Sequence, residues 1–253
     1  MRNILAVAQN TFRETVRDRI LYVIFVFAAL MIIGSTLAGS ISLDQDIKVM
    51  KDFGLASIFL FSILMAVFIG TNLVYKELDK RTIFLLLSKP VKRSDVIIGK
   101  FFGLAATMLV MILLMSIFYI GLIKYKTGQW DILSLQAIGF NYLEVLLMIG
   151  LTLMFSTFTA PISSAIYSLL LFLIGHSSST IMHIVKTSTG FSKYLLEAAY
   201  YVFPNLEKFN IRNNVVYGIG ASLEQTLLAI AYSAVYCIFL IYLGIAILKK
   251  QEF

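Results

Sequence analysis

The stretch that decides the fold is YKELDKRTIFLLLSKPVKRSDVIIGK, residues 75–100, the only long polar interruption in the first half of a very apolar chain. It carries seven cations against three acids. The cations are Lys76, Lys80, Arg81, Lys89, Lys92, Arg93 and Lys100, and the acids are Glu77, Asp79 and Asp95. Apolar runs flank the stretch on both sides. Because cationic segments between spans resist translocation, we expect this segment to stay on the cytoplasmic side of a membrane.

The composition of the chain indicates an integral membrane protein. Of its 253 residues, 59% are hydrophobic and only 14% are charged, whereas a typical soluble domain is about 25% charged. The mean hydropathy is +0.88. The net charge of +7 lies in loops beside apolar runs. This placement favours contact with anionic membrane lipid and the setting of topology, and it argues against a nucleic-acid partner.

The apolar runs predict an all-α fold with six transmembrane helices, organised as a single transmembrane domain over residues 1–253. Each run reaches about 20 residues, the length that crosses the hydrocarbon core as a helix. The predicted spans are residues 20–41, 53–74, 101–123, 137–158, 162–184 and 225–248. The single cysteine, Cys237, falls inside the last run and is interpreted as a packing residue.

The first 19 residues have the pattern of an amphipathic helix. Leu5, Ala8, Phe12 and Val16 recur at helical spacing on one face, and charged residues take another face. This pattern predicts an elbow helix that lies in the cytoplasmic membrane interface before the first span. The alternative is a solvated N-terminal arm.

The distribution of cations predicts that both termini are cytoplasmic. When successive segments alternate between the two sides, the two most basic segments, 1–19 and 75–100, fall on the same side. The polar stretch 185–224 then falls on the outer side. Within it, apolar residues of 191–203 recur at helical spacing and predict a short outer helical element. Pro204 ends this helix, because proline disfavours helical backbone at the residue before it.

The sequence offers no site for catalysis or for nucleotide binding. It contains no GxxxxGK[ST] motif, the glycine-rich loop that cradles phosphates. Gly99-Lys100 lacks the upstream glycine of that motif and is followed by Phe101. No GxSxG motif and no Cys/His ligand set occurs. We therefore expect a protein that is not an enzyme, binds no cofactor or metal itself, and depends on another chain if ATP drives it.

Three ionisable residues in or near the predicted spans leave alternatives open. An acid inside a span is a functional candidate by default, and Glu144 is the best case. It also lies near the start of its span, so an interfacial position at the outer headgroups is an equal alternative. His176 and His183 are seven positions apart, about two turns of one helix. They are interpreted as part of the polar outer end of the fifth span, and a proton or metal role is the minor alternative.

Residues 75–100 themselves predict two short cytoplasmic helices around a turn. The apolar run Thr82–Leu87 follows a charged segment, and Pro90 breaks it. Ser94 and Asp95 are positioned to cap a second helix that leads into the third span. Such a rigid element could transmit the motion of a docked partner to two spans. A loop that only fixes topology is the alternative.

This segment resembles the cytoplasmic segment of ABC type-2 (ABC-2) exporter permeases. In that family an acid and a threonine precede a leucine pair, a proline, an arginine, and a Gly-Lys pair that opens the next span. The matching residues here are Glu77, Thr82, Leu86, Leu87, Pro90, Arg93, Gly99 and Lys100. Arg81 stands where a glycine often precedes the threonine. The N-terminal TFRETVRDRILY is similar to the family's elbow helix, and PNLEKFNIRN and the LKKQEF ending are similar to its outer segment and tail.

The resemblance implies a six-helix permease half that pairs with a second permease subunit, in many members an identical one. Two cytoplasmic ABC ATPase subunits would hold ATP and Mg²⁺ and dock below. The resemblance assigns ATPase coupling to Glu77, Leu78, Asp79, Lys80, Arg81, Thr82, Leu86, Leu87, Pro90, Arg93, Gly99 and Lys100. It assigns the elbow helix to Phe12, Arg13, Glu14, Arg17 and Arg19. The implied location is the cell (inner) membrane, with multiple spans and membrane lipid around them.

Two other functions stay open at this point. An ion-coupled secondary transporter would build its site at mid-membrane from charged residues or broken helices. A membrane assembly factor that transports nothing is the third possibility. The substrate of an exporter is not readable from these residues.

Overall fold

The computed structural model describes residues 2–41, 46–79, 92–188 and 190–250. Helices account for 89% of the structure, and the described residues contain no strand. The helices are α1 (Arg2–Ile41), α2 (Asp46–Asp79), α3 (Arg93–Thr127), α4 (Ile132–Ser156), α5 (Pro161–His176), α6 (Ser178–Thr187), α7 (Phe191–Val202), a 3-10 helix (Leu206–Phe209), α8 (Arg212–Val216) and α9 (Leu223–Lys250).

The prediction of an all-α membrane protein is confirmed. Within the described residues, α2, α3, α4 and α9 are each long and apolar enough to cross a membrane. The bent pair α5 and α6 adds a fifth crossing if the two helices form one broken span. Helix α1 is not among these helices, so the count of six spans stays a prediction.

Several helices extend well beyond the predicted spans. Helix α3 has 35 residues, which makes it about 52 Å long. The hydrocarbon core is only about 30 Å thick, so this helix projects from the membrane. It ends at Gly128, whose left-handed backbone (φ 73°) lets its N–H donate back to the Lys124 carbonyl at 2.8 Å. A glycine adopts this conformation without steric penalty.

Helix α1 runs without a break from Arg2 to Ile41, through the predicted junction between the elbow and the first span. Its 40 residues make it about 60 Å long. The N-terminus is therefore helical, but no break in the helix separates residues 1–19 from 20–41.

The core of the bundle lies around α3 and α4. Helix α4 is the most buried of the candidate spans and packs against α2, α3, α5 and α9. Its Val145, Leu147, Met148 and Ile149 are fully enclosed. Helix α9, in contrast, exposes most of its apolar surface. In a bilayer such a surface meets lipid or another helix.

The predicted fifth span, 162–184, is wrong as a single straight helix. Helix α5 ends at His176 and α6 begins at Ser178, and the two axes are bent by 60°. Ser177 between them has a non-helical backbone. Serine side chains favour such breaks because they compete for backbone hydrogen bonds. The Ser177 hydroxyl donates to the Leu173 carbonyl at 2.8 Å.

The stretch between α6 and α9 contains the predicted short helix, which is α7. The connection that follows Pro204 holds the 3-10 helix and α8. Leu206, Phe209 and Val215 are buried and anchor this connection to the bundle. Ser222 then opens α9, since its hydroxyl accepts from the Gln225 N–H while the Gln225 side chain accepts from the Ser222 N–H. This reciprocal pair is a capping box.

Candidate coupling site

Of the predicted coupling segment, the structure describes residues 75–79 and 92–100. Glu77, Leu78 and Asp79 form the last turn of α2. Lys80, Arg81, Thr82, Leu86, Leu87 and Pro90 lie outside the described residues. The next described residue is Lys92, which is the N-cap of α3 and makes no side-chain capping bond. The predicted capping role of Ser94 and Asp95 is therefore wrong. Both lie inside the first turn of α3, which continues unbroken into the third span.

Lys100 is enclosed by protein although it lies at the end of a predicted span. Only 1% of its surface is exposed. Its Nζ donates to the backbone carbonyl of Leu73 at 2.5 Å. A buried ammonium is very unfavourable unless it is hydrogen-bonded, so this bond fixes the start of α3 against α2. Leu73 lies one turn before Glu77, and the bond therefore joins the two helices that border the coupling segment.

Gly99 and Gly103 form a close contact between α3 and the N-terminal part of α1. A Cβ on Gly99 would lie 2.7 Å from Val7 Cβ. A Cβ on Gly103 would lie 2.7 Å from the Ala8 carbonyl oxygen and from Thr11 Cβ. This is the GxxxG geometry in which missing side chains let two backbones approach. The motif GKFFG, residues 99–103, is visible in the sequence, but only a coupling role was predicted for Gly99.

The face of α1 that packs against α3 includes two threonines. Thr11 and Thr15 are buried, and the Thr15 hydroxyl donates to the Thr11 carbonyl at 2.7 Å. That internal bond satisfies a hydroxyl that would otherwise be costly to bury. Close approach to the two glycines, and not hydrophobicity, selects the small threonines for this contact. From the predicted apolar face, Leu5 is 72% exposed, whereas Phe12 and Val16 are partly buried.

The predicted elbow residues divide between this contact and the surroundings. Phe12 is half-buried, whereas Arg13 and Glu14 are exposed. Arg17 and Arg19 lie further along the same helix.

Arg93 connects the start of α3 to the end of α9. Its Nη1 donates to the Leu248 carbonyl at 2.8 Å. Carbonyls in the last turn of a helix have no partner within the helix. A cation at this position also interacts favourably with the negative end of the helix dipole.

Four helices thus meet at one end of the bundle: the starts of α1 and α3 and the ends of α2 and α9. We call this region the junction and define it by Gly99, Gly103, Lys100 and Arg93 with their partners on the other helices. The start of α3 therefore contacts three other helices.

A second polar cluster lies near the middle of α4. Glu144 on α4 is only 1% exposed, and its Oε1 lies 2.7 Å from His176 Nε2 on α5. The rings of Phe59 and Phe172 pack edgewise on the imidazole, with centroids 5.6 and 4.6 Å away. The carboxyl is therefore enclosed by protein, and its depth in the membrane stays a prediction. Nothing in the sequence indicated its pairing with His176, a residue 32 positions away.

His183 is exposed on α6, beyond the bend, so it does not share a straight helix face with His176. The prediction that the two histidines lie two turns apart on one helix is therefore wrong. Within the described residues, no group of three or more His, Cys, Asp or Glu side chains could hold a metal ion.

The architecture is that of a polytopic, all-α membrane protein whose helices are tied together at one end. Comparison with known protein families gives a match. The model of the family described as "ABC-2 family transporter protein" matches residues 5–253. The match covers nearly the whole chain, and the protein belongs to this family. Members of the family are membrane components of transporters, and the chain is an ABC permease that is not itself the catalyst. No curated protein matches it.

Proposed function

We propose that this chain is the membrane-spanning half of an ATP-driven exporter, and that a separate ABC ATPase drives it through the junction. The observation that carries the proposal is the simultaneous attachment of the start of α3 to three other helices. Lys100 contacts α2, Gly99 and Gly103 contact α1, and Arg93 contacts α9. A partner that pushes on this end moves the whole bundle.

In this mechanism the ATPase binds ATP and Mg²⁺ and docks against residues 75–92, with the start of α1 beside them. Its closure on ATP displaces the ends of α2 and α3. These helices are continuous over more than 30 residues each, and the displacement is proposed to reach the opposite end of the bundle through them. A path for substrate then opens between two permease halves.

The proposed topology places the junction in the cytoplasm of a cell with the protein in its inner membrane. The contacts at the junction support it, because residues near both ends of the chain meet there: Val7 on α1 and Leu248 on α9. The opposite end is held by Lys51 on α2, whose Nζ lies 2.9 Å from Asp131 Oδ2 at the start of α4. An even number of crossings fits this arrangement, with α1 as the first span and the bent pair as the fifth.

A second copy of the chain is the proposed partner in the membrane. Helix α9 is the least buried of the candidate spans, and its second half, where Phe239 and Tyr242 are exposed, leaves an apolar surface for another helix or for lipid.

The proposal is tested by purifying the chain with and without its proposed partner, a separate ABC ATPase subunit. We expect the chain alone to hydrolyse no ATP and the pair to co-purify as an active ATPase. Within the pair, Glu77→Lys and Arg81→Glu should lower coupled transport while membrane insertion is unchanged. ATP hydrolysis by the isolated chain, or full transport by both variants, would contradict the proposal.

An ion-coupled transporter is a second candidate, favoured by one observation. Glu144 and His176 form an enclosed ionisable pair between two helices, and such pairs within membrane segments mark ion or proton pathways. A proton gradient imposed on ATP-free vesicles separates the two functions. Substrate movement that requires Glu144 under those conditions supports the second candidate, and no movement supports the ATP-driven exporter.

A further inference from the structure

A large cleft opens on the side of the bundle, at the end opposite the junction. It lies between the first half of α9 and the segment that carries the 3-10 helix and α8, and its volume is about 680 Å³. This size is within the range of ligand-binding pockets. Leu228 and Val235 on its α9 wall are 63% and 65% exposed, so the cleft opens sideways toward the surroundings of the helix bundle.

The deep part of the cleft is an aromatic surface. The rings of Tyr232 and Tyr236 lie against each other with centroids 4.7 Å apart. The Tyr232 hydroxyl accepts a hydrogen bond from the Asn205 N–H at 2.8 Å, and this fixes the ring. Phe140 from α4 also lines the cleft. The faces of these rings are apolar and suit a hydrocarbon chain.

The outer rim of the cleft is polar and has one cationic group among the described lining residues, Lys208. Its Nζ lies 4.4 Å from the centroid of the Tyr232 ring. The neighbouring acid, Glu207, is engaged elsewhere. Its two carboxylate oxygens accept from the Ser179 N–H at 2.9 Å and from the Ser179 hydroxyl at 2.8 Å. The positive end of the α6 dipole thereby compensates part of the negative charge of Glu207. Lys208 then gives this part of the cleft a positive charge.

The α9 wall of the cleft runs from Gln225 to Tyr236, an interval of 11 positions that corresponds to about 16 Å along the helix. Lys208 lies beside Tyr232, within this interval. A ligand that fills the cleft therefore needs a polar head near Lys208 and an elongated apolar part along α9.

We propose that this cleft binds an amphiphile with an anionic headgroup, which contacts Lys208 while its tail lies on Tyr232 and Tyr236. The inference rests on the proposed export function, because it names the chemical class of the substrate. The lateral opening lets such a molecule pass between the cleft and the bilayer.

The test uses the full chain in nanodiscs of zwitterionic lipid. The probe is an alkyl phosphate with a photoreactive diazirine in its chain, and the matched probe has the same chain with a trimethylammonium head. We expect the phosphate probe to label α9 between Leu228 and Tyr236. Lys208→Gln should lower this labelling by about threefold to fivefold, the effect of one partly exposed ion pair, and should not lower labelling by the cationic probe.

Two variants of α9 separate a bound ligand from surrounding lipid. Val235→Trp fills the cleft and should abolish labelling by both probes. Ile238→Trp is the matched control, since Ile238 is exposed on the same helix but does not line the cleft. Lys193→Gln is the control for Lys208, because it removes an exposed lysine outside the cleft. Labelling that is equal in Val235→Trp and Ile238→Trp, or unaffected by Lys208→Gln, would overturn the proposal.

A second copy of the chain is the competing occupant of the cleft. In a Cys237→Ser background, Leu228→Cys should not form disulfide-linked dimers under mild oxidation. Efficient dimer formation that excludes the probe would overturn the proposal. ATPase binding is measured on the same variants and depends on the opposite end of the bundle. Loss of labelling with intact ATPase coupling therefore removes this inference and leaves the proposed function standing.

Discussion

The ammonium of Lys100 on α3 donates to the backbone carbonyl of Leu73 on α2 at 2.5 Å, in an enclosed site at the end of two long apolar helices. This bond sets the distance between the helices that enter and leave the basic segment 75–100. If a partner acts on that segment, the bond determines whether α2 and α3 move together.

Lys100→Met tests the role of this bond, because methionine keeps the unbranched apolar stem of the lysine side chain and removes the terminal donor. We expect a loss of about 1.5–3 kcal/mol, the value of a hydrogen bond to a charged group. Coupled ATPase activity should fall as well. Stability is measured with a thiol-reactive dye, since the only cysteine, Cys237, is buried and becomes reactive on unfolding. Lys249→Met, an exposed position on α9, should change neither quantity.

Gly103→Ala tests the contact between α1 and α3. The new methyl group would lie 2.7 Å from the Ala8 carbonyl oxygen, and backbone atoms there have little freedom to move aside. We expect destabilisation of about 1–3 kcal/mol, as for other overpacked sites. Gly121→Ala on the same helix is the control, because nothing lies within 4 Å of its Cβ position. It should be neutral or stabilising by about 0.5–1 kcal/mol. Equal effects of the two changes would count against the close contact.

Arg93→Gln tests the tie between α3 and the end of α9. The change removes the charged donor to the Leu248 carbonyl. Amide hydrogen exchange in the last turn of α9 should become faster by about tenfold at most, while exchange in the first half of that helix stays the same. Lys92→Gln is the matched change, since the exposed Lys92 makes no side-chain capping bond. An unchanged exchange rate in Arg93→Gln would show that the contact is not formed in solution.

Glu144→Gln and Glu144→Ala separate hydrogen bonding from charge at the buried pair. Glutamine can still bond to His176, whereas alanine leaves the imidazole without this partner. We expect Glu144→Ala to destabilise the protein by about 1–3 kcal/mol, the penalty for an unsatisfied buried polar group, and Glu144→Gln to have a smaller effect. The Cys237 labelling assay reports both. If glutamine were as damaging as alanine, the charge of Glu144 and not its hydrogen bond would hold α5.

The sequence predicted the long helices well, because runs of about 20 apolar residues have few other stable conformations in a membrane. It also predicted the short helix α7 and its end before Pro204. The bend at Ser177 was missed, since apolar periodicity averages over a break that depends on a few serine hydroxyls. The extent of α1 was missed for a related reason. The chain becomes much more apolar after about residue 20, but no helix-breaking residue occurs there and the helix continues.

The contacts at the junction and at Glu144 could be predicted only in part. Gly99 and Gly103 carried a readable motif, although their partner on α1 was not identifiable from the motif alone. The bonds of Lys100 to Leu73 and of Glu144 to His176 join positions 27 and 32 residues apart. Pairings of this kind depend on how the helices pack, which a single sequence does not encode locally.

The central claim is that a separate ATPase acts on this protein at the junction, and cross-linking measures that most directly. Ser94→Cys, in a Cys237→Ser background, places one thiol in the first turn of α3 beside the basic segment. In membranes that contain both proteins, the account predicts a cross-link from this position to the ATPase that forms or is lost with ATP. It also predicts no labelling of the thiol by an impermeant reagent added outside intact cells. Labelling from outside, with no cross-link to the ATPase, would contradict the account.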